Sequence, residues 1–258
     1  MRSLVGYVLS AYLFSWAWWV PMALAGVVVE PGQGWPSHLP GLLGPALAAV
    51  LWTWLDGGRS GLVGLWARVV RWRIGTVWWA LIVVTAGLAV LPLLLGTGVD
   101  AGDVSVFSGA PAVGLAVVVP YVLLVNGFGE EVGWRGFLVE RLLAIRSPLV
   151  TALLVWVVWA GWHLPLFWIV GNFRDLGAGG VAGWLVGLLA GSVLLTWLYR
   201  SAAHSVLIVA AWHTAFNFAT ATRAAAGVAA AAVSTLVMVA AVVVVLLPSF
   251  RRRPGASD

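Results

Sequence analysis

The sequence contains no cysteine and no lysine, and charged residues fill only 9% of its 258 positions. The first absence excludes disulfides, thiolate metal sites and cysteine nucleophiles. The second makes all 14 basic residues arginine and excludes a lysine base or a Schiff base. The shortage of charge says most. Soluble domains carry about 25% charged and about 45–50% apolar residues, whereas this chain is 62% apolar with a mean hydropathy of +1.02. Too little polar surface remains to keep it in water. A soluble enzyme, a disordered regulator and a nucleic-acid module are therefore excluded, and the pI near 10.7 bears on membrane orientation instead. The expected fold is all-α, a polytopic membrane helix bundle of about eight transmembrane helices around a buried polar site.

A bilayer core about 30 Å thick needs about 20 mostly apolar residues per helix. Eight stretches meet that need, at about 4–29, 39–55, 74–96, 111–129, 148–170, 180–199, 203–222 and 224–248. Turn-forming groups such as Glu30-Pro31-Gly32, Asp56-Gly57-Gly58 and Asp100-Ala101-Gly102-Asp103 separate them. Arginine placement tests the count. With the N-terminus inside and sides alternating, the inner side holds twelve arginines: Arg2, Arg59, Arg68, Arg71, Arg73, Arg135, Arg141, Arg146, Arg200, Arg251, Arg252 and Arg253. The outer side holds only Arg174 and Arg223. The positive-inside rule produces this asymmetry, and one span more or fewer in mid-chain destroys it. Both termini are expected in the cytoplasm. Arginine in place of all lysine, with abundant Ala, Val and Gly, suggests a GC-rich bacterial genome and hence a bacterial plasma membrane.

Residues 1–258 read as a single integral membrane domain without internal repeats. The run Leu4–Val20 is longer than most signal-peptide cores and carries three tryptophans, so the first helix is expected to be retained rather than cleaved after Ala23-Leu24-Ala25. Between about 60 and 75, Leu62, Leu65, Trp66 and Val69 recur at helical spacing beside Arg68, Arg71 and Arg73. That pattern fits an amphipathic helix on the inner surface, and equally a basic connector. Most of the 18 tryptophans read as interface anchors.

Chemistry is concentrated in polar residues where lipid disfavours them. A central Glu or Arg costs about 2.5–3.5 kcal/mol on insertion scales, which marks functional sites. Three groups qualify: Gly129-Glu130-Glu131-Val132-Gly133-Trp134-Arg135, Trp159-Ala160-Gly161-Trp162-His163, and Trp212-His213-Thr214-Ala215-Phe216-Asn217. Glu131 and Arg135 stand four apart in the favoured order for a helical ion pair. Glu130, about 100° round the helix, has no such partner in sequence and is the carboxyl group free to exchange a proton. His213 and Asn217 share one helix face. If the fourth helix runs on to about Ala144, Glu130 lies roughly 21 Å from its inner end, with His163 about 22 Å and His213 and Asn217 about 15–21 Å from theirs. All four then share one level inside the membrane, reached by an aqueous cavity. Taken singly, Glu131–Arg135 also reads as a structural ion pair, and each histidine as a bridge between helices. His204, at a span start, and His38, in an outer loop, read as interfacial and incidental.

Taken in order on successive membrane segments, Glu130-Glu131-x-x-x-Arg135, Trp159-x-x-x-His163 and His213-x-x-x-Asn217 resemble the signature of the CPBP family. These are the CAAX protease and bacteriocin-processing (Abi) proteins, related to the type II CAAX prenyl endopeptidase. The resemblance covers about residues 120–220, the motif-bearing core. In the family the second element usually begins with phenylalanine; here Trp159 stands in that pocket wall. The resemblance implies intramembrane endopeptidase activity, with Glu130 activating water and Glu131–Arg135 as the supporting pair. It also implies that His163, His213 and Asn217 assist the water or stabilise the oxyanion. The cofactor stays open: His163 and His213 with a carboxylate suit Zn²⁺ or another divalent metal, and the same residues can act without one.

Other intramembrane proteases fit worse, since the chain has no His-Glu-x-x-His helix, no paired membrane aspartates and no Gly-x-Ser-x-Gly elbow. Two rivals come from other classes: a non-catalytic interaction or immunity protein, and a proton-coupled transporter using Glu130, His163 and His213 as a relay. The expected partners are a peptide or membrane-anchored protein substrate and membrane lipids, with no nucleic acid. Prenylated tails are a eukaryotic modification, which argues against a prenyl substrate. Arginines near the site favour access from the cytoplasm.

Overall fold

Inside a bilayer each segment must satisfy its own backbone N–H and C=O groups, so long apolar runs become helices. The computed structural model describes residues 2–96 and 98–252; Met1, Arg253 and Asp258 of the sequence reading lie outside the described residues. Among the described residues there is no strand, only isolated β-bridges. The principal helices are α1 (Arg2–Leu24), α2 (Gly44–Val69), α3 (Thr76–Leu88) and α4 (Leu115–Leu143). They are followed by α5 (Pro148–Trp162), α6 (Ala178–Ser201), α7 (Val206–Ala221) and α8 (Val228–Leu246).

Among the described residues six helical segments are long and apolar enough to cross a bilayer, those of α2 and α5 when the adjoining turns are included (Leu39–Val69 and Pro148–Ile169), and α3 and α7 are shorter apolar helices. The expected eight thus resolve into six of span length and two that fall short. Residues 89–90 interrupt the third stretch before the short helix Leu91–Leu94. The seventh starts late, at Ser205, whose Oγ caps it by accepting from the Ile208 N–H. At Asp56-Gly57-Gly58 the helix is interrupted as expected: Gly58 takes φ 52° and ψ −142°, open in practice only to glycine, so α2 is two helical segments meeting at a kink, and the second carries the residues expected as a surface helix as far as Val69.

Glycines on α4 set the packing at the centre. A Cβ on Gly129 would lie 2.8 Å from the Leu42 carbonyl oxygen, and one on Gly133 2.5 Å from both Pro45 Cβ and the Tyr7 hydroxyl. On another side, a Cβ on Gly127 would meet Thr214 Oγ1 at 2.6 Å. Bare backbone therefore lets α4 sit tightly between the start of α2 and α7. Its own geometry is irregular: the α-helical turn Phe128–Gly133 is bracketed by π-helical turns Leu123–Gly127 and Trp134–Val139. Such turns re-aim side chains and are frequent at functional sites.

The two ends of the bundle differ. At one end the connections are stitched together by β-bridges Val29↔Val170, Pro31↔Ser108 and Phe107↔Thr222. At the other end arginines do the tying: Arg68 donates to the Gly136 carbonyl, Arg71 to the Ala203 carbonyl, and Arg141 pairs with Asp56 at 3.1 Å. His204 belongs to this end and is not merely interfacial. Its Nδ1 lies 2.7 Å from Glu140 Oε2, which also accepts from the Tyr199 hydroxyl at 2.8 Å.

Candidate active site

Helical spacing on α4 sorts its polar residues into two rows. Glu131 and Arg135 form the expected pair, with Arg135 Nη1 donating to Glu131 Oε1 at 2.8 Å and both side chains fully enclosed. The guanidinium also lies over the Trp159 ring, 4.7 Å from its centroid. The same Glu131 oxygen takes a second partner, His213 Nδ1 from α7 at 2.7 Å. One carboxylate thus joins the arginine of its own helix to a histidine of another.

Glu130, only 2% exposed, faces the second row. The sequence shows it alone, but the structure gives it two donors. Trp159 Nε1 from α5 donates to its Oε2 at 2.7 Å, and Asn126 Nδ2, one turn earlier on α4, donates to its Oε1 at 3.3 Å. Asn217 of α7 completes the chain by donating from Nδ2 to Asn126 Oδ1 at 2.7 Å. His163 stands at the C-terminal cap of α5, with Nδ1 2.7 Å from the Trp159 carbonyl oxygen. A carbonyl can only accept, so Nδ1 carries the proton and neutral His163 turns the lone pair of Nε2 to the cavity. Glu131 assigns the same tautomer to neutral His213.

A cavity of about 750 Å³ joins these groups: Glu130, Trp159, His163, His213 and Asn217 all line it, and Asn126 lines it beside them. Glu131 and Arg135 lie behind the wall. The expected cavity is present, and its walls extend from Glu130 past Asn217, Thr220 and Asn172 toward the β-bridged end, with no arginine among the lining residues. The reason lies in helix direction: α7 carries His213 at its middle and Asn217 in its second half, and His163 ends α5, so the polar groups converge toward the end where those helices terminate.

Two residues of this wall were missed from sequence. Asn126 lies within an apolar stretch about one turn before Glu130, a signal that the rule for intramembrane polar residues covers. His38, expected to be incidental in an outer loop, lines the cavity at 7% exposure. Burial, with a smaller influence from the neighbouring His163, pushes its imidazole down to about 4. No spacing rule links position 38 to the other motifs; only the folded chain brings it there.

Among the described residues no three His, Asp, Glu or Cys side chains stand close enough to form a metal-holding group; the two imidazoles share the cavity with Glu130, whose oxygens accept from Trp159 and Asn126.

Comparison with known proteins bears on the same segment. Residues 112–219 match the family model described as Type II CAAX prenyl endopeptidase Rce1-like. The chain is also similar to CAAX prenyl protease 2 of Methanococcus maripaludis, with 23% identity over 107 residues. That alignment covers 39% of this chain and 39% of the relative, so the chain spans well under half the length of the curated relative it matches. The family-model match spans the helices that carry Glu130, His163 and His213, and over this segment the chain is similar to the type II CAAX prenyl endopeptidases.

Proposed function

We propose that the protein is an intramembrane endopeptidase that cleaves a peptide or a membrane-associated protein tail with water activated by Glu130. The observation that carries this reading is the meeting of Glu130, His163, His213 and Asn217, from three helices, on one cavity. Glu130 takes a proton from water as the oxygen attacks the scissile carbonyl carbon. The second O–H of that water donates to the Nε2 lone pair of one imidazole, His163 or His213, which orients it. Asn217, through the amide hydrogen not used by Asn126, donates to the oxyanion that forms. Collapse breaks the C–N bond, and the proton held by Glu130 passes to the departing amine, leaving a carboxylic acid and an amine. Glu131 fixes the tautomer of His213 while Arg135 balances its charge. No step is routed through a metal.

We further propose that the protein resides in a bacterial plasma membrane with its arginine-rich end in the cytoplasm. The cavity then opens toward the outer face, and substrates are presented from that side.

The test is cleavage of a fluorogenic peptide library by purified protein in detergent, as wild type, Glu130→Ala and His213→Ala, each with and without a chelator. Cleavage lost in both variants and insensitive to the chelator supports the proposal. Cleavage surviving in both variants contradicts the site, and cleavage abolished by the chelator contradicts the metal-free mechanism.

A further inference from the structure

His38 occupies a socket built with more care than a loop residue needs. Its carbonyl oxygen accepts from Trp19 Nε1 at 2.8 Å, and neighbouring Ser37 donates from Oγ to the Gly109 carbonyl at 2.7 Å. Ser37 Oγ also accepts from the Leu39 N–H. The ring lies against Gly109: a Cβ there would stand 2.8 Å from His38 Nδ1, and Gly109 holds φ at +74°. A side chain at 109 is thus opposed both by contact and by backbone conformation. Nδ1 is enclosed without a hydrogen-bond partner. A buried N–H left unpaired is the rarer and costlier state, so Nδ1 carries the lone pair and Nε2 the proton. His38 lines the cavity, and Nε2–H is the one polar edge of its ring not enclosed against Gly109.

The polarity of the cavity gives this N–H a use. Glu130 is an acceptor, and the tautomers assigned to His163 and His213 make each Nε2 an acceptor too. The Trp159 N–H is consumed by Glu130, and one hydrogen of Asn217 is consumed by Asn126. A peptide chain brings carbonyl oxygens as well as N–H groups, and beside the acceptor Glu130 a fixed N–H from His38 gives such a carbonyl a donor on another part of the lining.

We propose that His38 is a substrate-binding residue whose Nε2–H donates to a backbone carbonyl of the peptide, on the part of the wall supplied by the connection before α2. This rests on the endopeptidase reading and deepens it: the ligand recognised is the neutral backbone of an extended peptide segment, not a charged terminus.

The test uses whichever fluorogenic peptide the wild-type protein cleaves fastest, with KM and kcat measured for His38→Leu, His38→Gln and His38→Asn. His38→Leu is expected to raise KM three- to tenfold, the range one neutral hydrogen bond supports, with kcat within twofold. Glutamine places an amide N–H near the position of Nε2, whereas asparagine reaches only that of Nδ1, so His38→Gln should stay near wild type and His38→Asn should not. An unchanged KM in His38→Leu overturns the proposal. So does a His38→Gln enzyme no better than His38→Asn, a comparison that decides the matter even if the leucine variant does not fold. A wild type that cleaves no peptide removes the protease reading and this inference together. A cleaving wild type with unaltered KM in the variants removes the inference alone.

Discussion

Trp159 touches four of the polar groups of the candidate site. Its indole N–H holds Glu130 Oε2, its face carries the Arg135 guanidinium, and its ring meets His163 and His213 at centroid distances of 5.7 Å each. The phenylalanine usual in the family keeps the ring contacts and loses the N–H. Trp159→Phe is therefore expected to lower kcat/KM about tenfold, corresponding to about 1.4 kcal/mol, while the protein still purifies as a folded species. Equal kinetics in the two forms would show that the bond does not help position Glu130. His38 offers a second test at this scale. Its folded value of about 4 lies below the ordinary value near 6.5, so the unfolded chain binds more protons between those limits. Stability contributed at this residue is complete above about pH 6.5 and falls as the pH drops toward 4. The thermal midpoint of wild type should decline across that window more steeply than that of His38→Gln; parallel declines would refute the burial account.

On the scale of elements, α4 is held by glycines, and Gly133 is the most confined of them. Gly133→Ala sets a methyl group against Pro45 and Tyr7, and overpacking of this kind costs about 1–3 kcal/mol. A thermal midpoint several degrees lower is expected, and an unchanged midpoint would show that α2 and α4 can separate freely. Helix positions were largely legible in the sequence because apolar length encodes them directly; the expected stretch 148–170 and the observed span Pro148–Ile169 differ by a residue. The pairing of Glu131 with Arg135 was legible for the same reason, since it is a fixed spacing on one helix. What could not be read were contacts between helices. The Glu131–His213 bond spans 82 positions and the Trp159–Glu130 bond 29, and neither leaves a periodic trace. The π-helical turns that bracket Glu130 were equally hidden, because they arise from packing rather than from residue type.

For the whole molecule, the central relation is between its two ends. Arginines gather at one, and the cavity walls reach residues of the other, where three β-bridges join the connections. If the arginine end is cytoplasmic, substrates meet the enzyme from outside. The absence of native cysteine makes this accessible to single-cysteine labelling. Val113→Cys, at a position 52% exposed near the bridged end, should react with a membrane-impermeant maleimide on intact cells. Ile145→Cys, at a position 41% exposed between α4 and α5, should react only after permeabilisation. The reverse pattern would invert the orientation and return the cavity to the cytoplasm.

The account as a whole depends on Glu130 acting as the base. The most direct measurement is the cleavage rate of Glu130→Gln beside wild type on the same peptide, with folding verified for both. Glutamine keeps an oxygen to accept from Trp159 or Asn126 and removes only the capacity to take up a proton. General-base catalysis contributes about 10²–10⁴-fold, so the predicted result is a rate at least a hundredfold lower in a stable protein. A Glu130→Gln enzyme that cleaves within a few-fold of wild type would contradict the assignment.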